Sequence, residues 1–144
     1  MTSEGHLVRI DMPSSFDLLD IVQLLSDRIS AIAGLDDDTT HWVGVSVRES
    51  VINAIKHGNR ENLAKRVVVE FSLTPRRRPE EFAVRVLDEG EGFDPDHVAN
   101  PLDPENVLKS SGRGIFFMRS FMDDVAIERR PEGGMSVRMS KKLN

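Results

Sequence analysis

Apolar and polar positions alternate in two rhythms along this chain, and the rhythms divide it into elements. His6 to Asp11 (H-L-V-R-I-D) alternates with a period of two and predicts a short half-buried strand. Phe16 to Ala33 switches to helical spacing, with Leu18, Ile21 or Val22, Leu25, Ile29 and Ile32 sharing one face. Pro13-Ser14-Ser15 offers a cap at its start and Gly34 a stop at its end. A second helix is predicted from Thr39 to Lys56, with Trp42, Val45, Val51 and Ile55 as its apolar contacts. The preceding Asp36-Asp37-Asp38 reads as a helix cap, since three adjacent carboxylates lack the ligand spacing of a calcium loop.

Period two returns in Arg66 to Leu73 and Glu81 to Leu87, two strands joined by Thr74 to Glu80 as a hairpin loop. Arg76-Arg77-Arg78 at its tip reads as a solvated turn. A Gly- and Pro-rich stretch then runs to Ser111, too long for a simple turn and of the length that compact domains reserve for functional loops. Gly114 to Phe121 predicts a helix that buries Ile115, Phe116 and Phe117. Val125 to Arg129 and Met135 to Lys141 predict a closing hairpin across Pro131 to Gly134. Strand pairs joined by short loops imply a largely antiparallel sheet with helices on one face, an α+β fold in two layers.

Composition narrows the classes. The chain has 144 residues, is 39% hydrophobic and 30% charged, and carries 19 basic against 24 acidic residues for a net charge of −5. One compact domain over residues 1–144 is expected, and a chain of this size buries roughly 68–70% of its unfolded surface without a covalent staple. The acidic balance argues against nucleic acid as a partner, because phosphate backbones demand a basic face. There is no cysteine, which excludes disulfides, thiolate metal sites and Cys nucleophiles. No signal-peptide pattern opens the chain and no apolar run reaches the ~18 residues of a membrane span, so no membrane association and a cytoplasmic location are expected.

Three segments look unlike scaffold. In Arg48 to Asn59, Glu49, Asn53 and His57 are spaced by four and lie along one helical face. Read alone, that face is solvated surface. Asp88-Glu89-Gly90-Glu91-Gly92-Phe93 follows a strand directly, so Asp88 stands at a strand end, and its alternating glycines allow close backbone approach. In isolation this is a turn. Ser110 to Met118 is a Gly-rich turn opening a helix, where backbone N–H groups and the helix dipole suit an anion. Arg113 has two readings open there, a phosphate contact or a solvated side chain.

In this order the three segments resemble the N box and the two glycine boxes of the GHKL superfamily, the ATP-binding fold of gyrase, histidine kinases and MutL. V-R-E-S-V-I-N-A-I-K-H-G-N and G-R-G-I-F-F-M-R-S-F-M-D-D-V are similar to the small anti-sigma-factor serine/threonine kinases of partner-switching systems. The resemblance implies a Bergerat-type α/β sandwich, its sheet mixed but mainly antiparallel. It implies Glu49 as general base, Asn53 as the Mg²⁺ ligand, and Asp88 as acceptor for the adenine amino group. Gly90 and Gly92 would shape the nucleotide pocket, and Gly112, Arg113 and Gly114 would sit at the phosphates. His57 and Asn59 match positions near the triphosphate, and Pro95 to Ser111 matches the ATP lid. The implied activity is ATP-dependent phosphorylation of a STAS-type antagonist, with sequestration of a sigma factor and a homodimeric state. The alternative is a non-catalytic module that sequesters a protein according to whether ATP or ADP is bound. With no phosphoacceptor helical hairpin ahead of the boxes and no transducer domain after them, a histidine kinase and an ATP-driven clamp are not expected.

Overall fold

The computed structural model describes residues 6–75, 77–91 and 110–143. Strand β1 spans His6–Pro13, and Ser15 then caps a single 3₁₀ turn, Phe16–Leu18, by accepting from the Asp17 N–H at 3.2 Å. Helices α1 (Leu19–Ile32) and α2 (Asp37–Asn53) follow, and α2 runs on into a π turn at Ala54–Gly58. Strands β2 (Arg66–Thr74) and β3 (Glu81–Leu87), helix α3 (Ser110–Phe121), and strands β4 (Asp124–Arg129) and β5 (Met135–Lys142) complete the chain. The five strands form one sheet in the order β1-β2-β3-β5-β4. All four pairings in it are antiparallel, as strand pairs joined by short loops imply, whereas the resemblance implied a sheet mixed but mainly antiparallel.

Alternation along the strands decides which face meets the helices. Val67, Val69, Phe71 and Leu73 of β2 and Phe82, Val84 and Val86 of β3 enter the core. The register places Arg9, Glu70, Arg85 and Arg138 in one row across the opposite face. Against the core side, α2 sets Val43, Val47, Val51 and Ile55, an i, i+4 stripe that is fully buried. Of the contacts expected on this helix, Val51 and Ile55 lie in the stripe and Trp42 and Val45 do not. Trp42 stays 40% exposed and Val45 is only half-buried, because Trp42 instead stacks on Phe121 of α3, with ring centroids 4.3 Å apart and planes at 10°.

On α1 the buried positions are Leu19, Val22, Ser26, Ile29 and Ser30, while Ile21 and Ile32 face outward. Small residues let this helix lie close on α2. A Cβ at Gly44 would stand 2.3 Å from Gln23 Nε2 and 3.3 Å from Asp27 Oδ1. Asp36 is the cap of α2, accepting from the Thr39 N–H at 2.7 Å, and Thr39, through its side chain first and this N–H second, holds the Asp36 carboxyl below the ordinary range.

The last helix begins at Ser110, four residues earlier than expected, so Gly112, Arg113 and Gly114 belong to its opening turns rather than to a preceding turn. Glycine costs helix stability. The stripe Ile115, Met118 and Met122, buried against the core, supplies the packing that outweighs it. Phe116, expected inside, is 39% exposed; the Phe117 side chain lies outside the described ones. Arg77 and Arg78 are exposed as a solvated turn requires, and Arg76 is outside the described residues. Phe82 sits fully buried in the middle of the sheet, so Phe82→Ala should cost about 3–5 kcal/mol, read as a lowered urea midpoint at unchanged slope.

Candidate nucleotide site

The end of β3 carries a carboxylate that is costly to bury. Asp88 is the residue after Leu87, only 5% exposed. Its backbone extends the sheet by one more bond, donating from N to the Met135 carbonyl at 3.1 Å. Its Oδ1 accepts from the Gly90 N–H at 2.9 Å and the Met135 N–H at 3.1 Å. The Arg130 guanidinium donates to its carbonyl oxygen at 2.6 Å, not to its carboxylate. Among the described residues no donor reaches Oδ2 and no side-chain cation bridges the carboxylate. Burial pushes the Asp88 carboxyl above its ordinary 3.8, against the pull of the two N–H bonds and of Arg130 and Lys65.

Three glycines frame that carboxylate. A Cβ at Gly58 would fall 2.4 Å from Asp88 Oδ2, and one at Gly134 would fall 2.1 Å from the Asp88 carbonyl oxygen. Gly134 also sits at φ +90°, a left-handed backbone that other residues resist. A Cβ at Gly90 would fall 2.0 Å from the Gly58 carbonyl oxygen. The π turn at the end of α2 therefore presses directly onto the turn after β3. Such a widened turn is a common feature of functional sites. It is closed here by the Asn59 N–H donating to the Ala54 carbonyl at 2.8 Å.

Glu49 and Asn53 lie one turn apart on α2, both half-buried, leading toward this contact. His57 falls inside the π turn, where four residues no longer complete a turn, so it leaves the line of the other two. Its side chain is exposed, yet partial desolvation and the neighbouring Lys56 charge hold its pKa below the usual value, favouring neutral imidazole. Gly92 and the expected lid up to residue 109 are outside the described residues. Gly112, Arg113 and Gly114 are placed only as the start of α3, and their side chains lie outside the described ones.

Two participants escaped the sequence reading. Gly58 lies inside the Arg48 to Asn59 segment, where the H-G-N triplet was an available signal to which no role was given. Gly134 lay in what read as an ordinary hairpin turn, and nothing local announced that β5 would bring it against Asp88.

A buried strand-end acceptor with one oxygen satisfied and the other without a donor among the described residues has the chemistry to accept from a ligand amino group such as that of an adenine nucleotide. The absent Cβ atoms let the Asp88 turn, the π turn and the hairpin before β5 pack against one another. The same burial makes a testable linkage. Because folding raises the Asp88 pKa, its contribution to stability is fullest at acid pH and is lost as pH rises through the folded value. Asp88→Asn keeps the acceptor for both N–H groups and removes the charge. The urea midpoint of the variant relative to wild type should therefore climb from acid to neutral pH; a constant difference would contradict the buried charge.

Comparison with known proteins places the chain in a family. A model of the histidine kinase-like ATPase domain matches residues 13–141. The serine-protein kinase RsbW of Staphylococcus aureus is 25% identical over 150 residues, covering 99% of this chain and 91% of that protein. The protein of the same name in strain JH9 gives the same figures. Among solved structures, the crystal structure of the RsbU and RsbW domains of Rv1364c from Mycobacterium tuberculosis superposes with a TM-score of 0.67 at 16% identity. That match takes in 96% of this chain and 33% of the other, so this chain spans about a third of it and the likeness is one of fold. With nine-tenths of its length inside the family model, this chain belongs to the histidine kinase-like ATPase family.

Proposed function

We propose that this protein is an ATP-dependent serine/threonine protein kinase that also acts as an anti-sigma factor. It would phosphorylate a small STAS-type antagonist and sequester a sigma factor. The observation that carries the reading is the glycine-framed Asp88 carboxylate with one oxygen open, in a chain that is similar over its whole length to serine-protein kinases. We further propose a single domain over the whole chain, a cytoplasmic location and a homodimer. Among the described residues no helix is long and apolar enough to cross a membrane.

Asp88 would accept from the adenine amino group, selecting adenine over guanine. Gly90 and Gly92 would shape the base pocket, and Gly112, Arg113 and Gly114, with His57, would lie toward the phosphates. Among the described residues no group of three or more His, Asp or Glu converges on a point, so magnesium would draw its other ligands from phosphate oxygens and water. Asn53, with its amide oxygen, would hold the ion. Bound ATP supplies the γ-phosphoryl group, and the ion neutralises charge on its oxygens. Glu49 would take the proton from the acceptor hydroxyl as its oxygen bonds to phosphorus and ADP departs.

Thermal denaturation with and without magnesium-ATP tests the pocket. At ligand near 100 times Kd, binding adds about 2.7 kcal/mol, a rise of several degrees in Tm. The rise should weaken in Asn53→Ala and be smaller with GTP. Glu49→Ala should keep the shift and lose roughly 10²–10⁴-fold in the rate of phosphate transfer to an antagonist. Equal rates in that variant and wild type would remove Glu49 as base, and no transfer by wild type would leave the nucleotide-dependent sequestering module.

A further inference from the structure

Asn59 is 1% exposed, the most deeply buried amide near the site, and its bonds account for its whole side chain. Its Nδ2 donates to Ser14 Oγ at 2.8 Å and to the Arg66 carbonyl at 2.9 Å. Its Oδ1 accepts from the Glu89 N–H at 2.8 Å. Ser14 in turn donates to the Lys65 carbonyl at 2.8 Å, and the Glu89 carboxylate accepts from the Arg66 N–H. The amide thus ties four pieces of chain together: the end of β1, the start of β2, the end of the π turn, and the peptide that follows Asp88. Both faces of its amide are committed, leaving no atom for a phosphate.

We propose that Asn59 is a positioning residue for base recognition. By holding the Glu89 N–H, it fixes the Asp88 turn against the end of α2 and so sets the preference for adenine over guanine. The resemblance placed it near the triphosphate; the hydrogen bonds assign it to the other end of the nucleotide. The inference rests on reading Asp88 as the adenine acceptor. One peptide bond separates the clamped N–H from the Asp88 α-carbon, and the Gly90 carboxylate bond spans the same turn, so slack at Glu89 becomes displacement of Asp88. The contact is tight enough to transmit it, since Gly58 and Gly90 meet with no room for a methyl group. A small shift would therefore misalign one hydrogen bond to the base without touching the phosphate end.

The test is calorimetric titration of the full chain with magnesium-ATP and magnesium-GTP, at a temperature where circular dichroism shows each variant folded. Asn59→Ala should weaken ATP binding about tenfold, the worth of one well-made hydrogen bond, while GTP binding stays the same, so the adenine preference contracts. Ser14→Ala breaks the clip on its other side and should lower Tm with the preference intact. Asn59→Asp keeps an acceptor facing Glu89, and should retain the preference even if Asn59→Ala does not fold. Equal weakening of ATP and GTP in Asn59→Ala would overturn the proposal, as would loss of preference in Asn59→Asp or in Ser14→Ala. Wild type that binds ATP while Asn59→Ala binds it equally well would overturn the positioning role alone. Wild type that binds neither nucleotide would overturn the Asp88 reading and this inference with it.

Discussion

A carboxylate held at 5% exposure with no salt-bridge partner among the described residues is expensive, and the surroundings of Asp88 are arranged around that expense. Two backbone N–H groups offset part of it through Oδ1, and Arg130 secures the adjoining carbonyl. No donor among the described residues reaches the remaining oxygen, which faces Gly58, where a Cβ would fall 2.4 Å away.

The scaffold serves that geometry in two ways. Antiparallel pairing of β3 with β5 carries Met135 and Gly134 to the strand end, and the φ of +90° at Gly134 lets the hairpin close over Asp88 without a side chain in the way. From the other side, α2 is anchored by its valine stripe on the sheet, so the position of its last turn is a consequence of core packing. The π turn widens the helix where it meets the β3 turn, and Asn59 locks the two together. Core, helix end and strand end therefore form one mechanical unit, and the half-buried Glu49 and Asn53 ride on the same rigid helix.

Helix α3 is attached differently. Its inner stripe of Ile115, Met118 and Met122 joins the core, but its C-terminal end also rests on the Trp42–Phe121 stack and on Lys141, whose ammonium donates to the Phe121 carbonyl at 3.0 Å. A charge donated to the last carbonyls of a helix is favourable to its dipole. Aromatic contact rather than a valine ladder thus joins α2 to α3 near the surface.

Apart from the 3₁₀ and π turns, periodicity by itself determined the order and type of the described elements, their largely antiparallel pairing and the placing of Asp88 at a strand end. These depend on local alternation and on short loops, which neighbouring residues specify. It also determined the Glu49 and Asn53 pair, since an i, i+4 spacing survives any straight helix. Where the reading slipped, a partner distant in sequence had intervened. Trp42 was drawn to Phe121 instead of the core, α3 was extended through two glycines by packing, and His57 was turned aside by the π turn. Only the tertiary structure decided that Gly134 abuts a residue 46 positions earlier and that Asn59 clamps Glu89. Such contacts follow from how the sheet and helices pack, and a buried polar group takes whichever partner that packing brings within hydrogen-bond reach.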